Sequence, residues 1–409
     1  MNPSNSHEAV IGGFYTDSPY PWRAHTLQQP LDPGLYPALL SQAVGDFDHR
    51  RIRPDGAVWV AGCGVNQALI TAQRHPSARV VGTDVSEGSL ALSEEGRKEL
   101  GLDNLELRQE RLTAAGYHEE FDHIVCTGVL HHNPDPPALL RRIAAALRPT
   151  GVLEVMVYNT YHRRNPVAFQ QATRLLAGDT ASVPSTGRAL AAALDIQNSL
   201  ADDLAEARLE PDAAFADTWL NPYELTFTVD EFRALAERCG LLIEAPRIGP
   251  DDRSGTAALW DVVLHDTALR ERYEACDDHT RWRLAQLLLA EESPYNWFYL
   301  RRADAPLPVS TDTTRNAAFL AARAAPVAAA QRTWALHGAG GYRVLVESSP
   351  LPVMPVAPEF RALWEHLTPE RTVGQTCTQL GLPTDPQTVR RMRAQLTTPE
   401  FPYVLSVPA

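Results

Sequence analysis

Lysine is almost missing from this 409-residue sequence: Lys98 is the only one, and arginine supplies every other cation. That bias reads as genomic base composition before it reads as function. The five cysteines (Cys63, Cys126, Cys239, Cys276 and Cys377) are odd in number, far apart, and never in a C-x-x-C pair. Such usage fits reduced thiols in a cytoplasm better than a disulfide framework or a structural zinc site. No apolar run is long enough to span a bilayer. Leu287 to Ala290 is short, and the alanine-rich Ala317 to Ala330 is broken by Arg and Pro. The first residues, Met1 to His7, lack the basic start and apolar region of a secretory signal, so a cytoplasmic protein without a membrane helix is expected. Net charge is −13, which opposes a nucleic-acid track.

Several catalytic signatures are absent too. No H-E-x-x-H, paired cysteine or closely spaced His/Asp/Glu set suggests a catalytic metal, and there is no G-x-S-x-G nucleophile or Walker loop. One further absence is informative. "AVWVAGCGVNQALIT" (Ala57 to Thr71) has the form of a buried strand, a glycine turn and a helix, but a dinucleotide fingerprint needs a third glycine where Gln67 stands. A pyrophosphate is therefore disfavoured, and with it an NAD-dependent oxidoreductase.

What is present is an alternation. Apolar strands are expected at Ala57–Ala61, Arg79–Thr83, Leu105–Gln109, Phe121–Thr127 and Gly151–Tyr158. Helical patterns at Gln67–Arg74, Ser86–Leu100 and Pro137–Leu147 lie between them. That order implies βαβ units and a parallel sheet covered on both faces. Residues 159 to 224 break it with helices around Val167–Leu176 and Ala189–Ala207, separated by a loop at Gly178–Gly187, and read as an insertion. The pattern resumes with a helix at Val229–Cys239, a strand at Leu241–Ile248, an apolar stretch at Thr256–His265, a long helix at Arg270–Ala290 and a strand at Tyr295–Arg301. The division expected is an N-terminal arm or lid (1–54), a central domain (55–304) and a C-terminal α+β domain (305–409). The last would hold an alanine-rich helix, a strand at Tyr342–Glu347, three short helices and a strand at Tyr403–Val407.

Gly62 and Gly64 leave room for a ligand to approach the backbone at the end of the first strand. Asp84 ends the second strand, where a carboxylate can accept both hydroxyls of a ribose, with Val85 beside it as an apolar edge for a base. Taken singly, the glycines fit an ordinary strand-to-helix turn and Asp84 a neighbour of the Ser86 cap. Together they favour an adenosine-bearing ligand.

"VWVAGCGVNQALI", "VVGTDVSEGSL", "FDHIVCTGVLHHNPDPPALLRRIAAALRPTGVLEVMVYN" and "FTVDEFRALAERCGLLIEAP" resemble, in order and spacing, the class I S-adenosylmethionine-dependent methyltransferases. The likeness is closer over 55–160 than over 225–302. It implies a Rossmann-like sheet of seven strands with the last, Tyr295–Arg301, inserted antiparallel. It also implies S-adenosyl-L-methionine as cofactor, its ribose on Asp84 and its methionine tail across Ala61, Gly62, Cys63 and Gly64. Backbone of Thr127 and Gly128 would lie near the sulfonium. The third family glycine is replaced by Asn66, whose amide would meet the methionine tail beside Gln67. The acidic residue usual after the third strand is displaced: Glu110 comes one place early, Arg111 takes its place, and backbone near Arg111 and Leu112 would serve the adenine.

Methyl transfer needs alignment more than covalent chemistry, plus a base when the acceptor is a hydroxyl or protonated amine. His131 and His132 follow the fourth strand where the family's acceptor approaches. One is a candidate base; a structural role for the pair is the alternative. Tyr158, Asn159 and Tyr161 are candidate acceptor contacts at the same rim. Tyr15, Tyr20 and Trp22 in "GFYTDSPYPW" are candidates for a lid, and "DTWLNPYELTF" (Asp217 to Phe227) for a second wall. "TVGQTCTQLGLPTDPQTVRRMRAQL" resembles a winged helix whose Arg390, Arg391 and Arg393 would meet phosphates if it bound DNA. Dimerisation or a wall for the acceptor is the preferred use. The leading reading is methylation of a small specialised metabolite, oxygen ahead of nitrogen or carbon. A peptide or protein acceptor docked by the C-terminal domain, and a cofactor-binding regulator without turnover, stand as alternatives.

Overall fold

The structure is a computed structural model, and it describes residues 3–21, 24, 26–30, 34–248, 260–290, 295–327, 329–338, 340–350, 356–397, 399 and 404–408. In chain order the strands are β1 (Thr26–Pro30), β2 (Ala57–Ala61), β3 (Arg79–Asp84), β4 (Leu105–Gln109), β5 (Phe121–Thr127), β6 (Leu147–Tyr158), β7 (Leu241–Pro246), β8 (Tyr295–Arg302), β9 (Ala324–Pro326), β10 (Ala329–Gly338), β11 (Gly341–Pro350) and β12 (Val404–Ser406). The helices are α1 (Pro3–Asp17), α2 (Leu35–Ala43), α3 (Gln67–Arg74), α4 (Glu87–Leu100), α5 (Pro136–Ala146), α6 (Arg164–Ala177), α7 (Val183–Ala193), α8 (Ser199–Ala207), α9 (Asp212–Trp219), α10 (Val229–Arg238), α11 (Thr267–Glu274), α12 (Asp278–Leu288), α13 (Asp312–Ala321), α14 (Pro358–His366), α15 (Val373–Leu380) and α16 (Pro386–Thr397).

Seven strands form one sheet in the order β4-β3-β2-β5-β6-β8-β7. β8 runs antiparallel to both β6 and β7, and the other pairings are parallel. The order reverses between β2 and β5, which opens the crevice at their carboxyl ends where such sheets bind ligands. All five residues of β2 are buried, as an unbroken apolar run in a central parallel strand must be. Ser86 caps α4 by accepting from Ser89 N, and Thr228 with Glu231 forms a capping box on α10.

Some elements depart from the expected pattern. The helix expected over Ala189–Ala207 is two, because the Asn198 side chain accepts from Leu200 N and Ala201 N and starts α8 afresh. Within the expected loop, α7 already begins at Val183, with Pro184 in its first turn. Asp277 likewise caps α12 and divides the expected long helix from α11. Trp260–His265 forms no strand, and 256–259 lie outside the described residues. The alanine-rich helix stops at Ala321, before Pro326, and Ala329 onward is β10, which pairs with β1 on one side and β11 on the other. Proline cannot continue a helix, and pairing on both edges outweighs alanine's helical preference.

The insertion, α6 to α9, has a core of its own around Phe169, Leu204, Phe215 and Trp219. The C-terminal helices share a core with Phe47 from before β2. Gln42 of α2 reaches Val404 O and accepts from Ser406 N. Arg390 is bound between Asp261, Glu274 and Asp312, and Arg393 by Asp312 and Asn316, all in the protein. Arg391 pairs with Glu359 at 3.4 Å. No described helix is long and apolar enough to cross a membrane.

Candidate active site

A cavity of about 360 Å³ lies above the carboxyl ends of β2, β3, β5 and β6. Its floor is the glycine turn. Gly62 adopts φ +73° and Gly64 φ +51°, a region open to few residues but glycine. Space excludes side chains as well: a Cβ on Gly62 would lie 2.3 Å from a Val129 methyl, and one on Gly64 2.8 Å from Tyr20 O. Thr83 O accepts from the Gly62 and Cys63 amides, and Trp59 Nε1 donates to Thr83 Oγ1 at 2.9 Å, tying the turn to the end of β3.

Asp84 is held there by the Gly64 amide on Oδ2 and the Ser86 amide on Oδ1, each at 2.9 Å. Burial raises its pKa, and those backbone donors offset only part of the rise. Cys63, Asn66, Gln67, Val85 and Leu112 line the same space, as do Thr127 and Gly128 beyond β5. Gly128, at φ +77°, has nothing within 4 Å of where a Cβ would stand, so the space beside it is free for a ligand. Asn66 Oδ1 also accepts from Ala24 N at 3.3 Å, which ties the arm to the turn. Ala61 is fully buried behind the lining, and Arg111 is exposed outside it. The Glu110 carboxylate accepts from the Tyr117 hydroxyl at 2.7 Å.

The opposite end is assembled from distant segments. α1 packs against α4, bringing Ile11 and Tyr15 to the cavity, and Tyr20 and Pro21 follow. Tyr158 ends β6, Tyr295 begins β8, and Asp217 comes from α9. The Tyr15 hydroxyl donates to Asp217 Oδ1 at 2.7 Å and accepts from Asn221 Nδ2 at 2.9 Å. The Tyr158 hydroxyl donates to Asp217 Oδ2 at 3.4 Å. Burial raises the pKa of Asp217, with His132 and Arg163 acting against it, and burial likewise raises Tyr15 and Tyr158. Behind Tyr158, the Arg163 guanidinium lies 4.0 Å from its ring centroid and is paired with Glu224.

The two histidines separate. His132 lines the cavity, and its Nδ1 lies 2.8 Å from Tyr223 O. A carbonyl only accepts, so the neutral ring carries its proton on Nδ1 and presents Nε2 as an acceptor. His131 sits outside the lining, fully buried against Tyr158 with ring centroids 3.9 Å apart. Neither of its ring nitrogens has a hydrogen-bond partner, and burial holds its pKa well below the usual histidine value. Asn159 is also buried, accepting from Gln286 Nε2, and Tyr161 is 44% exposed outside the cavity. Trp22 lies outside the described residues. Sequence reasoning did not single out Ile11, Ser89, Met156 and Tyr295 as lining. Asp217 it placed only in a candidate wall, because nothing local to α9 says that Tyr15, more than two hundred residues earlier, will meet it.

Residues 59–153 match the family model described as a methyltransferase domain. An uncharacterized protein of Synechococcus is 31% identical over 308 residues, 71% of this chain and 70% of that protein. The ubiquinone biosynthesis O-methyltransferase of Xanthomonas axonopodis is 29% identical over 171 residues, 41% of this chain and 67% of the enzyme. The enzyme of that name from Stutzerimonas stutzeri is matched over 45% of its length. In fold, PKMT2 from Rickettsia typhi in complex with AdoHcy superimposes with a TM-score of 0.58 at 14% identity, covering 91% of this chain and 76% of that one.

Proposed function

Because the chain belongs to the class I S-adenosylmethionine-dependent methyltransferases, we propose that it transfers the methyl group to a hydroxyl of a small-molecule acceptor, a specialised metabolite. The observation that carries this reading is the single cavity shared by the glycine turn, Asp84 and His132. Its volume is that of a small-molecule site, and arm and insertion wall it at the acceptor end.

The residues fit the cofactor. Asp84 is fixed by two backbone amides with oxygens left to accept a ribose diol, and the open space at Gly128 admits a ligand against backbone. Gly62 and Gly64, with Cys63 and Asn66 between and beside them, would hold the methionine end. Val85 and Leu112 would flank the adenine, with Thr127 nearer the reacting centre. S-adenosylmethionine supplies a methyl group already activated on a sulfonium.

What remains for the protein is alignment and one proton. Tyr15, Tyr20 and Tyr158 restrict how the acceptor lies, which converts an encounter into an oriented contact. His132 Nε2 takes the acceptor's proton, while Tyr223 O holds the ring in the required tautomer. His131 keeps the Tyr158 ring in place by packing against it at a tilt of 31°.

Calorimetric titration with S-adenosylmethionine and with NAD tests the cofactor half, and binding of NAD alone would overturn it. His132→Ala should lower turnover roughly 10²- to 10⁴-fold with cofactor affinity unchanged. An equal loss of cofactor binding would assign His132 a structural role instead. The oxygen preference draws support from relatives named as O-methyltransferases.

A further inference from the structure

Asp217 is a carboxylate 3% exposed in the wall of a ligand cavity, and among the described residues no lysine or arginine comes within ion-pair distance of it. Its two donors, the Tyr15 and Tyr158 hydroxyls, are neutral and leave lone pairs unused. A buried carboxylate without an ion-pair partner is costly, and the charges of His132 and Arg163 offset only part of its burial. Arg163 gives both Nε and Nη2 to Glu224 and a further bond to Thr218 O, so its charge is already matched. No lysine or arginine lines the cavity among the described residues, whereas four tyrosines, Tyr15, Tyr20, Tyr158 and Tyr295, do. Aromatic rings attract cations as a carboxylate does, most strongly where water is excluded.

The two carboxylates of the cavity differ in their engagement. Asp84 is held by backbone amides at the end of β3, whereas Asp217 reaches the cavity from α9 and, among the described residues, accepts from two side-chain hydroxyls. We propose that the methyl acceptor carries a protonated nitrogen, received by Asp217 within the ring of tyrosines, with its methyl-accepting group turned toward His132. An acceptor bearing a carboxylate or phosphate at this end meets no lysine or arginine among the described residues and is repelled by Asp217. The inference rests on the methyltransferase reading of the site and adds the charge of the acceptor to it.

The test uses the full chain saturated with AdoHcy, whose sulfur is uncharged, and titrates it by calorimetry with benzylamine, benzyl alcohol and benzoate. These probes have similar size and differ in charge. Benzylamine should bind on the order of tenfold more tightly than benzyl alcohol, and benzoate more weakly than either. Asp217→Asn should abolish the preference while AdoHcy affinity stays the same. Should that variant not fold, Tyr15→Phe, which removes the donor orienting Asp217 Oδ1, should reduce the preference severalfold. Benzylamine binding no better than benzyl alcohol, including no binding of either, overturns the proposal. So does a preference that survives Asp217→Asn, or a parallel loss of AdoHcy affinity. Failure of the protein to bind AdoHcy at all would instead sink the methyltransferase reading, and the two failures are thereby separate.

Discussion

The two ends of the cavity are built in different ways. The glycine-turn end takes Gly62, Gly64, Asp84 and Val85 from one strand-turn-helix-strand unit, and backbone amides fix its carboxylate. The insertion end gathers Tyr15, Tyr158, Asp217 and Tyr295 from α1, β6, α9 and β8, and side-chain hydroxyls hold its carboxylate. Backbone amides survive every replacement except proline, so the first end is robust in chemistry and intolerant of volume. The second is the reverse: each contact is a side chain, so acceptor preference can change by single replacements while the sheet stays intact.

The largest effect is expected at the insertion end. Arg163→Met leaves the Glu224 carboxylate buried without its partner, and about 3 to 5 kcal/mol of stability should go with it. Urea unfolding would measure the loss. If the midpoint is unchanged, Glu224 is not confined as described. Gly62→Ala attacks the other end. A Cβ at positive φ costs about 1 to 2 kcal/mol, and its overlap with Val129 roughly another 1 to 3. The folded turn should therefore lose about 2 to 5 kcal/mol, and cofactor affinity should fall where the turn shifts to relieve the overlap, whereas Arg163→Met, where it folds, should change acceptor KM and spare cofactor affinity. Equal effects of both variants on cofactor affinity would erase the distinction between the ends.

The smallest effect lies away from both ends and serves as a reference. His75 is buried against Tyr36 and His123, neither ring nitrogen has a hydrogen-bond partner, and burial lowers its pKa well below the ordinary value of 6.5. The unfolded chain therefore takes up a proton that the native chain refuses, and stability falls as pH drops below about 6.5. The slope from this group is at most about 1.4 kcal/mol per pH unit. His75→Leu should flatten it, as unfolding midpoints at pH 7.5, 6.5 and 5.5 would reveal. An unchanged slope would assign the acid sensitivity elsewhere.

Much of the fold was legible because its signals are local. Strands β2 and β5 and helix α3 fall where periodicity puts them, since a buried parallel strand must be continuously apolar and its helix amphipathic, while the edge strand β4 alternates Leu105 and Leu107 with polar residues. Two of the departures have a plain cause. Caps at Asn198 and Asp277 divide helices whose apolar pattern runs through, because a side-chain oxygen beside free amides restarts a helix wherever the packing bends it. The alanine-rich stretch turns to strand at β10 because its partners, β1 and β11, lie far away and close by in sequence respectively, and pairing with both decides the outcome.

The same division runs through the site. The glycines, Asp84 and the histidine pair announce themselves because strand ends and turns impose residue types through φ and through free backbone groups. Which histidine faces the cavity did not, because adjacent residues in one tight turn differ only in what the third dimension sets against them: Tyr223 O for His132, the Tyr158 ring for His131. The sequence alone determined the sheet, the glycine turn and the chemistry that turn can hold, all consequences of neighbouring residues and hydrophobic period. Only tertiary structure decided that Asp217, Tyr15 and Tyr158 share one buried charge, because burying a carboxylate depends on segments that meet solely when the chain is folded.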